Sequence, residues 1–200
     1  MGRLMYTTPM KLSRIYRTIG ICLCMTLLSA CTGQQQPLPK AGSRPTPLHF
    51  GLYVTPDPAN NPIDPPERFT GYHAATDFEV YKSEAKKDIP VYAVCSGTIQ
   101  FSGFAEGYGG LVTEFCNLDN QDVTIIYGHL AIDSLVDAGT QVSTGQTLGI
   151  LGAARSTDTD GNRKHLHLGI VKGHSSDVRG YVQTPGEIDL FLDPEKVLKL

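Results

Sequence analysis

Two histidines one residue apart, His165 and His167, stand near the end of a 200-residue chain. On a strand, side chains alternate between faces, so both imidazoles point one way and Leu166 points the other. A second pair, His73 and Asp77, lies far upstream, and His129 lies between the two pairs. Neutral imidazole and carboxylate are ligand types that suit zinc, and a catalytic zinc usually keeps three protein ligands and one open position. A histidine titrating near pH 7 can take a proton from water and return one to a leaving amine. Metal-assisted hydrolysis is therefore the chemistry these residues could do together. Each alone would mean little: a lone His is more often structural, and a lone Asp is more often a turn residue or cap. His49 and His174 have no such company and read as structural or solvated.

The elements that must position these groups begin after an N-terminal address. Residues 1–30 carry Arg3, Lys11, Arg14 and Arg17 and no acidic residue. The apolar run from Ile19 to Leu28 is too short for a comfortable membrane span and has the build of a secretory signal. Met10 offers an alternative start. The ending Leu28-Ser29-Ala30-Cys31 resembles a bacterial lipobox, which implies a lipid anchor on Cys31. Thr32 follows, with no Asp beside the Cys. By resemblance to Gram-negative lipoproteins, this implies the outer membrane, facing the periplasm. Residues 32–47 are polar and Pro-rich and read as a tether able to reach roughly 50 Å when extended. One domain is expected over residues 48–200, long enough for a sizeable core.

Charge narrows the partners. Removing the four basic residues of the signal from the total of 17 leaves 13, against 20 acidic residues. Such an acidic domain is a poor nucleic-acid binder, because that binding relies on phosphate neutralisation by Lys and Arg. The basic pair Arg163-Lys164 beside the His pair reads equally as a solvated loop or as a contact for a substrate carboxylate. Cys95 and Cys116 are the cysteines left beyond the signal and Cys31. In an exported protein such a pair commonly forms a disulfide, here between two strand-like segments.

The domain reads as mainly β. Ile89 to Phe104 is rich in β-branched and aromatic residues. Turns follow at Gly107–Gly110 and Asn117–Asn120, with strands over Leu111–Cys116 and Val123–His129. Glycines at 139, 145, 149 and 152 suit tight turns between short strands. No sustained 3.6-residue apolar period appears in the mature chain. A compact antiparallel sheet or sandwich is expected.

Several segments occur in a telling order: Phe50-Gly51, His73-Ala74-Ala75-Thr76-Asp77, Pro90-Val91-Tyr92-Ala93, Gly97-Thr98-Ile99, Gly107-Tyr108-Gly109, Tyr127-Gly128-His129-Leu130, Gly145-Gln146 and His165-Leu166-His167. Together they resemble the lysostaphin-type (LytM-like) zinc metalloendopeptidases, which cut peptide bonds in bacterial cell walls. The resemblance spans most of residues 50–170. It implies that His73, Asp77 and His167 bind zinc, that His129 and His165 are catalytic, and that the substrate is a peptidoglycan peptide. A non-catalytic peptidoglycan-binding or hydrolase-activating lipoprotein is the alternative. Two departures stand out. Ala75 occupies a position where the family often has Gly. The stretch from Asp77 to Pro90 is long and charged, as an exposed insertion would be. Tyr72 and Tyr127, near site residues, read either as cleft lining or as packing.

Overall fold

The computed structural model describes residues 1–2 and 36–200. Apart from Met1 and Gly2, the expected signal lies outside the described residues, as does Cys31. The chain divides into two compact units, Met1–Thr32 and Gly33–Leu200. The second carries everything that follows.

Eleven short strands dominate it: β1 (Tyr53–Val54), β2 (Gly71–His73), β3 (Ala75–Glu79), β4 (Pro90–Tyr92), β5 (Gly97–Ala105), β6 (Gly109–Leu118), β7 (Gln121–Leu130), β8 (Gln141–Val142), β9 (Thr147–Ile150), β10 (His165–Lys172) and β11 (Tyr181–Val182). Two short helices follow, α1 (Pro185–Ile188) and α2 (Pro194–Leu198). The main sheet has six strands in the order β3-β10-β7-β6-β5-β8. Smaller sheets join β1-β2-β11 and β4-β9. The pairings within them are antiparallel. The mainly β, antiparallel expectation holds. Among the described residues, no helix is long and apolar enough to cross a membrane.

The β6–β7 hairpin shows how local chemistry sets this sheet. Leu118 pairs with Gln121, leaving Asp119 and Asn120 as a two-residue loop. Both have positive φ, 50° and 66°. Asp and Asn tolerate that region, and such a turn matches the twist of the flanking strands. The alternation of β10 then separates two functions. Leu166, Leu168 and Ile170 enter the main core with Val112, Ile125 and Tyr127. His165 and His167 face the other way.

The tether reading of residues 32–47 needs correction over its described part. Leu38 and Ala41 are buried in the main core. Arg44 is buried and donates to both Glu84 carboxylate oxygens, at 2.6 and 3.2 Å. It also donates to the Pro39 and Glu79 carbonyls. The Tyr92 N–H donates to the Pro37 carbonyl at 2.7 Å. Prolines reduce the entropy lost when a segment is ordered, so a few anchoring contacts suffice to dock it. The folded body thus starts before residue 48.

Between Asp77 and Pro90 the chain is exposed at Lys82, Lys86, Lys87 and Asp88, as an insertion would be. Ala75 is fully buried on β3 opposite Gly169, whose missing side chain leaves room for its neighbours. Cys95 and Cys116 form a disulfide with a Cα–Cα distance of 6.2 Å. Cys116 lies on β6, but Cys95 sits in the loop before β5 rather than on a strand. Closing a loop of this length stabilises the fold by about 3 kcal/mol.

Candidate metal centre and cleft

Register brings the distant pairs together. On β10, His167 lies opposite Asp77 of β3 on one side and Gly128 of β7 on the other. His73 ends β2, immediately before β3. The result is a compact donor set. His167 Nδ1 is 3.0 Å from Asp77 Oδ1. His73 Nε2 is 3.3 Å from that same oxygen and 3.3 Å from His167 Nδ1. For bonds of about 2.0 Å, two corners of a zinc tetrahedron are about 3.3 Å apart. The three donors therefore fit a metal of this kind without rearrangement. All three residues are buried.

His129 and His165 flank this group, their ring centroids 4.4 Å apart. His129 owes its position to an irregularity. Gly110 pairs with Leu130 but Leu111 pairs with Gly128, so His129 is the extra residue of a bulge. Its φ is +68°, uncommon for a residue with a side chain. Strict alternation after core-facing Tyr127 would send residue 129 into the core, and the bulge lets its ring line the cleft instead. Gly128 is required beside it, because a Cβ there would meet Tyr108 Cδ1 at 2.5 Å.

A cleft of about 400 Å³ opens over the group. Asp77, His129, His165 and His167 line its floor, and Tyr108, Asn162, Arg179 and Tyr181 contribute to its walls. The Tyr108 hydroxyl donates to the Val178 carbonyl at 2.6 Å. Burial pushes that phenol up, beyond the ordinary tyrosine range, so it stays a donor.

Electrostatics keep the donors in the forms a metal needs. Burial pushes the His167 imidazole down to about 4, against the opposing pull of Asp77. Burial likewise holds His129 well below the usual histidine range, aided by His165 and His167. A neutral imidazole binds a cation without first shedding a proton. Asp77 is the converse case. Burial would raise it, but His165, His73 and Arg163 outweigh burial and hold it well below the usual carboxylate range.

Arg163 does something that neither reading of its sequence offers. It is neither a solvated side chain nor a free contact for substrate. It binds Asp77 Oδ2 at 2.7 Å and Glu79 at 2.7 Å, and it also pairs with Glu67. Asp77 Oδ2 is thereby occupied while Oδ1 faces His73 and His167. Lys164 Nζ donates to the Lys87 carbonyl at 2.7 Å. Tyr72 and Tyr127 are packing residues: Tyr72 lies edge-on to Tyr53, and Tyr127 is buried on the core face. The cleft tyrosines are Tyr108 and Tyr181 instead. Tyr108 lies inside the Gly107-Tyr108-Gly109 motif, so its place was discoverable; nothing local marks Tyr181. His49 and His174 are exposed, the latter stacked on Phe115.

The β-sheet and its His-Asp-His floor define a lysostaphin-type peptidase domain. Residues 71–178 match peptidase family M23, and the chain belongs to that family. Among solved structures, the catalytic domain of the antimicrobial peptidase lysostaphin from Staphylococcus simulans is similar, with a TM-score of 0.54 at 21% identity. The match covers 80% of this chain and 96% of that domain. Whole lysostaphin matches with a TM-score of 0.47 and 22% identity over 78% of this chain, which spans 54% of that longer protein. LytU matches at 0.48 and 18% identity, over 76% of this chain and 84% of its own. No functionally curated protein matches the chain by sequence.

Proposed function

We propose that the chain is a zinc-dependent endopeptidase that hydrolyses peptide bonds in bacterial peptidoglycan. The observation that carries this reading is the triangle of His73 Nε2, Asp77 Oδ1 and His167 Nδ1, with sides of 3.0–3.3 Å, beneath a cleft that Asp77 and His167 line together with His129 and His165. Membership of a peptidase family and the likeness to an antimicrobial peptidase domain support the same substrate class.

His73, Asp77 and His167 would hold the ion. Zinc supplies Lewis acidity: it polarises a carbonyl and makes water acidic enough to attack near neutral pH. The histidines divide the proton work. A carbonyl only accepts, so His129 donates its Nδ1–H to the Tyr108 carbonyl at 2.7 Å. In the neutral ring, Nε2 then carries the lone pair. His129 is thus set to take the proton of the attacking water. His165 donates Nδ1–H to the Arg163 carbonyl at 3.0 Å, and its Nε2 lies 3.1 Å from Asp77 Oδ2. A proton on that nitrogen bridges the pair and is placed for delivery to the leaving amine. The lipid anchor at Cys31 and a place at the outer membrane facing the periplasm belong to this proposal. They are supported by the residues preceding and following Cys31.

The test is digestion of purified peptidoglycan by residues 33–200, with mass analysis of the products. Wild type, a chelator-treated sample and His165→Ala run together. New fragments from wild type, lost on chelation and in the variant, establish the enzyme and identify the bond. A folded, zinc-loaded domain that releases no fragments overturns the hydrolase reading.

A further inference from the structure

A second group of potential metal donors lies on the opposite face of the main sheet. Glu114 and Cys116 are two apart on β6 and so share its core-facing side. Cys95 reaches them from the loop before β5. Cys95 Sγ, Cys116 Sγ and a Glu114 carboxylate oxygen lie within 4.8 Å of one another. Glu114 is fully buried. Its Oε2 accepts from the Tyr127 hydroxyl at 2.6 Å, while its Oε1 has no hydrogen-bond partner. A glycine makes the space. Gly97 pairs with Cys116, and a Cβ on it would stand 2.8 Å from Cys116 Cβ and 3.1 Å from Glu114 Oε1.

An unpartnered carboxylate oxygen inside a protein is costly, and a bound cation is one of the few things that offsets it. Two thiolates and a carboxylate are the donor set of a thiophilic divalent ion of the zinc class. We infer that Cys95, Cys116 and Glu114 form a second metal site, distinct from the His-Asp-His group, that is available only when the disulfide is reduced.

The two states exclude one another because they use the same sulfurs. A dithiol reductant gives two electrons and two protons to the Cys95–Cys116 bond, yielding two thiols, and itself closes to a disulfide. The divalent ion then displaces both thiol protons, together with the Glu114 proton where the carboxyl carries one, and is held by two Sγ atoms and the Glu114 carboxylate. In the oxidised protein, burial pushes the Glu114 carboxyl up to about 7, and a proton rather than a metal removes its charge. Bound metal would keep the sulfurs from pairing, and the disulfide would keep the metal out.

Cobalt(II) is the probe, added to residues 33–200, the compact unit whose cysteines are Cys95 and Cys116 alone, before and after reduction by a trialkylphosphine, which presents no competing sulfur. The His-Asp-His group contains no sulfur, so sulfur-to-cobalt charge-transfer absorption reports this site alone. One equivalent should develop the band in reduced protein and none in oxidised protein. Glu114→Gln should weaken cobalt binding about tenfold or more. Cys95→Ser combined with Cys116→Ser should abolish the band. Because unfolded thiols also bind metal, a second measurement uses zinc and thermal unfolding in a His167→Ala background, where the other group is broken. Zinc should raise the midpoint of the reduced form and leave the oxidised form unchanged. Absence of the band, equal affinity in Glu114→Gln, or no zinc-dependent rise in the reduced midpoint would overturn the inference.

Discussion

Asp77 and Glu114 are both buried carboxylates of one sheet, at 1% and 0% exposure. They face opposite sides and are shifted in opposite directions. Around Asp77 stand His73, His165 and Arg163, and together they keep it ionised despite burial. Around Glu114 stands one phenol, Tyr127, whose hydrogen bond lowers the value less than burial raises it. Burial is common to both, so burial alone does not decide the charge. The neighbours do: a guanidinium and two imidazoles surround one carboxylate, and a single phenol stands beside the other. On one face the sheet prepares an anion to meet a metal. On the other it holds a carboxyl that is neutral over part of the working range.

Substitution tests this contrast. The largest effect should come from Asp77→Asn, which keeps the shape and removes the charge. Zinc content measured after dialysis should fall to background, and peptidoglycan cleavage should drop by about 10³-fold, the scale of several kcal/mol of lost transition-state stabilisation. Next comes Arg163→Gln, which leaves Asp77, Glu67 and Glu79 without their shared cation. Metal affinity, titrated against a competing chelator, should weaken about 10- to 100-fold. Stability in urea should fall by about 3 kcal/mol. If neither changes, Arg163 does not hold Asp77 ionised, and the contrast with Glu114 loses its cause.

The two carboxylates should also give opposite pH slopes in metal-free, oxidised protein. The folded value of Glu114 lies above its ordinary 4.5, so its contribution is full below pH 4.5 and is lost as pH rises through about 7. Asp77 lies below its ordinary 3.8, so its contribution is present above that value and is lost as pH falls through the folded one. Glu114→Gln should therefore remove a decline of about 3 kcal/mol between acid and mildly alkaline pH. Unfolding curves of both proteins at pH 5 and pH 8 measure it, and parallel slopes would refute it. The smallest effect belongs to Tyr127→Phe. It removes two hydrogen bonds, one donated to Glu114 and one accepted from the Val94 N–H, costs about 2 kcal/mol, and moves the Glu114 step to higher pH.

The same contrast explains what was legible in the sequence. His73, Asp77, His129, His165 and His167 are residue types with few structural uses in such a pattern, and their order carries a family resemblance. The strands from Ile89 to His129 are readable from β-branched runs broken by turn residues. The partner of Asp77 is not, because Arg163 lies 86 positions away in sequence and meets it only through the β3–β10 pairing. Glu114 leaves a fainter trace. It alternates with Val112 and Cys116, so its side chain has to enter the core. The docked stretch before residue 48 reads as a tether because Pro-rich composition outweighs two small apolar anchors, Leu38 and Ala41.

That docked stretch sets a working radius. With a lipid on Cys31, as proposed, the reach of the domain is limited by the five-residue step from Cys31 to Gln36, because the chain from Gln36 onward is bonded to the folded body or to itself. Five residues span at most about 17 Å, against roughly 50 Å for an undocked tether. Such an enzyme would graze only the layer of cell wall nearest its own membrane. Cutting Leu38 or Arg44 loose would lengthen its range without touching the cleft.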